Sequence, residues 1–373
     1  MKNSIEFVNK TAWQMGLLFK FTRQMSELDF AGSLSGEFRG AQDAGWSTTI
    51  TANQVYEELK ERLAGGPVES LADLRIILLL YSQLAEAGGV YESLKNMMGI
   101  VENAPYNLWP FRDLVRVKQN PNRVIGPNAN ATFRDLASHA RKIGMIGLSS
   151  ALENVFRDDV RNGMCHADYI LWNDGLRLRR RNGGNVTRIE YTKVLEFVGI
   201  GLAFFETLQA LIKSAVQSFD PPREIIGRFS LNPPMPWTVS YDTTTGAFSI
   251  RGSSPGPVTS PEYEVQEAVN TYLGGHIMVV FRMNGGTATP NIDFLQQGFE
   301  PSEIDLQKDQ FAELLKDIEA RGLWDERAAE IKRDGLLTLS PWGFRYLGDS
   351  GDLKNLVGEP ELIMKFEPPE EAT

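Results

Sequence analysis

Residues 158–184, "DDVRNGMCHADYILWNDGLRLRRRNGG", hold one of the three histidines and the sole cysteine of a 373-residue chain. Arg161, Asn162 and His166 fall within six residues, and Arg177, Arg179, Arg180 and Arg181 follow at once. Two readings compete. Either a helix ends here with Arg and His as caps, or three complementary side chains meet in a pocket. On a helix Asn162 and His166 stand one turn apart and share a face. Arg161 lies about 140° off that face at 100° per residue. Its long side chain can swing round, and Gly163 makes the local helix easy to distort. An imidazole can act as general acid or base near neutral pH, and a guanidinium can grip a phosphate bidentately. Spacing alone leaves both readings open.

The bulk numbers bound the rest. A hydrophobic content of 42% and a charged content of 23% are those of an ordinary globular protein. The length calls for two or three domains. One cysteine, Cys165, excludes an internal disulfide and a Cys-built zinc cage, which fits a reducing, cytoplasmic location. The opening "MKNSIEFVNKTAWQMGLLFKF" has no uninterrupted apolar core for a signal peptide. The most apolar run, 194–212, carries Glu196, Glu206 and Gln209, so it reads as a buried core helix and no membrane partner is expected. A net charge of −10 argues against a general nucleic-acid binder while leaving room for a local basic site. The arginines between 177 and 188 are either such a site or a solvated loop.

Along the chain, residues 1–54 read as a mixed N-terminal segment: a helix, then a stretch rich in Gly, Ser and Thr. From 55 the spacing of Leu and Ile predicts helices, broken at paired glycines. A loop rich in Pro and Asn covers about 103–131, and helical spacing resumes with Phe133, Leu136, Ile143, Ile146 and Leu152. After the opening segment a short polar turn, "RRRNGGN", precedes the long apolar helix, which runs to about 218. "FDPPRE" (219–224) marks a domain boundary. Beyond it, "WTVSYDTTTGAFSIRG" reads as a β-hairpin and "HIMVVFRM" and "PELIMKF" as strands. Two amphipathic helices follow at "EIDLQKDQFAELLKDIEARG" and "ERAAEIKRDG", and the tail "EPPEEAT" is expected to be disordered.

Common catalytic signatures are absent: no P-loop, no G-x-G-x-x-G after a strand, no H-E-x-x-H, no nucleophile elbow. His139, in "LASHARK", and His276, at a strand start, read as structural. Three scattered histidines do not make an imidazole metal site, so no metal or cofactor is expected. Asp158 and Asp159 suit a helix start.

The pattern R-polar-x3-H, with an amphipathic helix before it and "ADYIL", a polar turn and a long apolar helix after it, resembles the HEPN superfamily. "RNGMCHADYIL" stands where that family often has "RNAxAHxDYxL", and the resemblance covers roughly residues 55–218. It implies a HEPN-like helical bundle over 55–218; with the strands and helices read from the pattern after the boundary, the expected fold class is mainly α, with a smaller α+β domain over 223–373. The resemblance also implies a metal-independent endoribonuclease of a bacterial defence or toxin type. Two such motifs would meet across a homodimer, with Arg161, Asn162 and His166 catalytic. RNA would be the substrate, and an antitoxin or regulatory protein a further partner. Some members bind nucleotides or partners without cleaving RNA, so a non-catalytic scaffold is the alternative; a third possibility puts the activity in the C-terminal domain.

Overall fold

The structure is a computed structural model that describes residues 2–36, 48–66, 68, 70–179, 183–229, 232–252, 256–273, 279–284, 287–290, 335–340 and 343–347. Among these the chain is mostly helical, with several small antiparallel sheets. Helices α1 (Lys2–Met25) and α2 (Glu27–Leu34) open the fold. They are followed by α3 (Thr48–Ala64), α4 (Leu71–Ala85) and α5 (Gly88–Val101). Then come α6 (Ala129–Lys142), α7 (Ile146–Asn154), the short α8 (Asp158–Cys165) and the long α9 (Tyr191–Gln217). The starts are written in the sequence. Ser26, Ser70 and Asn128 cap α2, α4 and α6, each accepting a hydrogen bond from the amide three residues on. Gly66 and Gly144 adopt positive φ where α3 and α6 give way to the next element.

One apolar core joins these helices. Tyr91 meets Phe133 at 4.8 Å between ring centroids, Phe133 meets Phe156 at 5.0 Å, and Tyr81 meets Phe197 at 5.3 Å. Helix α9 passes through this cluster with Phe204, Phe205 and Leu208 buried, and packs on α1, α3 and α4. Gly201 allows the close approach: a Cβ there would stand 2.8 Å from both Phe156 and Tyr81. By length and composition α9 is apolar enough to cross a membrane, yet its buried aromatic face serves the core, as expected for 194–212. Helix α1 contributes Met15, Leu17, Leu18 and Phe21 to the same core and packs on α5, α7 and α9. Residues 1–54, read from sequence as a segment apart, thus supply core side chains to the bundle.

The strands depart from the sequence reading in two places. Within the Pro- and Asn-rich loop, a 3-10 turn (Arg112–Leu114) leads into a hairpin of β1 (Arg116–Gln119) and β2 (Asn122–Ile125). Between α8 and α9, where a polar turn was expected, β3 (Tyr169–Trp172), β4 (Gly175–Leu178) and β5 (Thr187–Ile189) form a three-stranded sheet. "WNDGL" is its turn. Gly175 takes φ +139°, and an added Cβ would run into the Ile189 carbonyl. Beyond 219 the expected hairpin is present as β7 (Met235–Asp242) and β8 (Ala247–Gly252), joined by β6 (Arg223–Gly227). Val239 of β7 is fully buried in the shared core. Helix α10 (Pro261–Leu273) follows, then a four-stranded sheet of β9 (Val279–Asn284), β10 (Thr287–Pro290), β11 (Gly335–Ser340) and β12 (Gly343–Leu347). The two expected amphipathic helices after 300, the "PELIMKF" strand, the tail and His276 lie outside the described residues.

Candidate functional site

Helix α8 carries the motif. Its start has no side-chain cap; the Arg157 amide donates instead to the Tyr81 hydroxyl at 2.8 Å. Tyr81 is buried, and that burial raises its hydroxyl well above the usual phenol range, so it stays neutral. Asp158 and Asp159 fill the first turn, where the helix dipole favours them, and Asp159 takes two hydrogen bonds from Arg157 at 2.9 and 2.6 Å. Helix α8 packs along α4, and buried Gly163 lets β4 close on it, since a Cβ there would stand 2.8 Å from Leu178.

Arg161 projects toward α4. Its guanidinium forms an ion pair with Glu86, the residue that caps the C-terminus of α4, and donates to Asn162 Oδ1 at 2.8 Å. The other Glu86 oxygen accepts the Ala129 amide at 3.1 Å, tying in the start of α6. The Arg161 side chain is 15% exposed, and its buried Nε has no hydrogen-bond partner. It lines a cavity of about 360 Å³ with Phe133, Arg134, Phe156 and Arg157.

His166 is elsewhere. The helix ends at Cys165, and His166 is its C-cap, with its amide bonded to Asn162 O at 3.1 Å. Ala167 then takes φ +54°, and the Asp168 amide closes the turn on Gly163 O at 2.9 Å. The imidazole is exposed, and among the described residues no hydrogen bond or ion pair reaches it. So one chain joins Arg161 to Asn162 by a hydrogen bond, while neither Asn162 nor His166 lines the cavity that Arg161 enters. The 140° offset sets Arg161 on a different side of α8 from His166, and Arg161 turns onto α4 while His166 caps the helix end. Glu86, which orients Arg161, drew no attention in the sequence, where it is one acid in "AEAGG".

The downstream arginines are largely engaged. Arg177 and Arg188 are cross-strand partners on β4 and β5, and both approach Asp174, at 2.9 and 3.5 Å. The hydrogen bond from Arg177 holds the Asp174 carboxyl below its usual range. The Arg177 guanidinium also lies 5.9 Å from the Trp172 ring centroid. Arg179 is 74% exposed and 3.8 Å from Asp168. Arg180 and Arg181 lie outside the described residues. His139 meets Glu102 at 3.1 Å inside the bundle, in keeping with a structural role.

Two further cavities are present. One of about 540 Å³ is walled by Glu86, Glu92, Trp109, Phe111, Arg112 and Val115. Another, of about 680 Å³, lies between the α1–α2 junction, residues 100–105, β6 and α10. In it the Tyr263 hydroxyl and Arg228 both donate to Glu267, at 2.7 and 3.0 Å. Asp29, also lining it, is pushed above the usual carboxylate range by burial while accepting the Tyr106 amide at 2.9 Å. Among the described residues no cluster of three or more His, Cys, Asp or Glu side chains is placed to hold a metal ion. Comparison with family models, curated proteins and solved structures finds no match to this chain.

Proposed function

We propose that the chain is a HEPN-like endoribonuclease that completes its active site by self-association. The observation that carries the reading is the His166 ring, exposed and without a partner at the end of the short helix that fixes Arg161 and Asn162. A second copy docked over α8 would bring another His166 to the first copy's Arg161. Exposed Leu79 on α4 and Ile170 and Trp172 on β3, the elements flanking α8, would give that contact its apolar area. In the reaction, the ribose 2′-oxygen attacks phosphorus as an imidazole takes its proton, and the P–O5′ bond breaks as the leaving oxygen gains one. The products are a 2′,3′-cyclic phosphate and a 5′-hydroxyl. Arg161 would balance charge on the phosphate and Asn162 would orient it.

The ion pair with Glu86 favours a second reading, a non-catalytic scaffold in which Arg161 only fastens α8 to α4. Cleavage of single-stranded RNA by wild type and His166→Ala, each with and without EDTA, separates the two. The catalytic reading expects a loss on the order of 10²- to 10⁴-fold in His166→Ala, and no effect of EDTA. An inactive wild type that scatters light as a dimer supports the scaffold. A monomer at every concentration removes the composite site.

A further inference from the structure

The hairpin β1–β2 stands out from the acidic chain around it. Residues 112–125, "RDLVRVKQNPNRVI", hold four basic residues and one acid, in a chain of net charge −10. Arg112, Arg116, Lys118 and Arg123 are all exposed, and among the described residues no acid or other polar side chain pairs with their charged groups. This is the reverse of Arg177 and Arg188, which share Asp174 as an ion-pair partner, with Glu190 also beside Arg188. The register sorts the ribbon into two faces. Lys118 is opposite Arg123 and Arg116 opposite Ile125, so the three cations share one face; Val117 and Val124 pair on the other. Those valines are 64% and 70% exposed, so the ribbon has no core of its own. A bare two-stranded ribbon is marginally stable in water, and a polymer laid against it would order it.

The root of the ribbon is fixed to the candidate site. Arg112 and Val115 before it and Pro127 after it wall the 540 Å³ cavity, which Glu86 also lines. Glu86 in turn holds the Ala129 amide, just past the ribbon, and the Arg161 guanidinium. One carboxylate therefore links the base of the cationic arm to Arg161.

We infer that the β1–β2 ribbon is an arm that binds the phosphate backbone of a single-stranded nucleic acid and feeds it toward Arg161. The choice of RNA as the polymer rests on the ribonuclease reading; the anionic-backbone chemistry does not. Charge selects the occupant: Arg116 and Lys118, two residues or about 7 Å apart on β1, with Arg123 opposite Lys118 on β2, suit a repeating phosphate chain. Binding would be sequence-tolerant and strongly salt-dependent.

The test is fluorescence anisotropy with a labelled oligonucleotide carrying 2′-deoxy sugars, which cannot be cut by 2′-hydroxyl attack, so binding is read apart from cleavage. The variants are the triple Arg116→Ser, Lys118→Ser, Arg123→Ser, and a control with Arg116→Lys and Arg123→Lys. The triple variant should bind about tenfold or more weakly at low salt, with a log–log salt slope smaller by about 2, at roughly 0.7 counterions per lost contact. The lysine control should keep the wild-type slope. No binding by wild type, or an unchanged slope in the triple variant, overturns the proposal. So does competition by polyglutamate equal to that of the oligonucleotide, which would assign the arm to an acidic protein. Intact binding without cleavage sinks the ribonuclease reading and leaves the arm standing; cleavage with an unchanged triple variant does the opposite.

Discussion

Glu86 grips Arg161 with one carboxylate oxygen and the Ala129 amide with the other, so one side chain fastens α8 and the start of α6 to the end of α4. Because the pair is mostly shielded, removing one member leaves the other with little water to replace it. Arg161→Ala should therefore destabilise the protein by about 1–3 kcal/mol, read as a lower urea midpoint. Arg161→Lys should recover part of this, since a point charge meets Glu86 but not Asn162 as well. A variant as stable as wild type would place the guanidinium in solvent, away from Glu86.

Ala167 holds φ +54° at the turn that ends α8. Left-handed backbone costs a residue with a Cβ roughly 1–2 kcal/mol, while glycine is free to adopt it but loses more entropy on folding. Ala167→Gly should thus stabilise the fold by about 0.5–1 kcal/mol, seen as a raised Tm. A lowered Tm would mean that the helix does not end in this turn.

Gly175 is the opposite case. With φ +139° and the Ile189 carbonyl against it, a Cβ forces β5 away from β4. Gly175→Ala should cost at least about 1 kcal/mol and speed amide exchange in 175–178 and 187–189 before the helices. Uniform exchange across the chain would contradict this.

His139 gives a pH dependence. Burial, and then Lys95, hold its ring below the usual imidazole value despite the nearby Glu102 and Asp135. The unfolded chain titrates near 6.5. Between the lower folded value and 6.5 the unfolded state binds more protons, so stability rises with pH across that window and levels off above it. Denaturation of wild type and His139→Gln at about pH 5 and about pH 7.5 checks the sign: the variant should lose part of the acid-side decline. Equal pH profiles would show that His139 does not contribute.

The sequence by itself determined the helices. Leu and Ile at helical spacing and paired glycines at the breaks are local signals, and they mark α3, α4, α5 and α9, while the stretch from 133 to 152, read as one helical run, divides at Gly144 into α6 and α7. The β7–β8 hairpin was legible for the same reason, through alternation around a turn. The ribbon at 116–125 was not, because both of its faces are exposed and no burial alternation marks it. The sheet at 169–189 carried a signal in "NDG", overshadowed by the arginines that follow. In the motif, spacing placed Arg161, Asn162 and His166 on one stretch of backbone and fixed the 140° between the first and last. Where those side chains go depended on more than spacing: Glu86, distant in sequence, takes Arg161 onto α4, the sheet brings Arg188 to the Asp174 that pairs with Arg177, and a turn at Ala167 leaves His166 at the surface. Helix formation follows from contacts three and four residues apart; the pairing of charges is decided by which elements the core presses together, and only the tertiary structure supplies that.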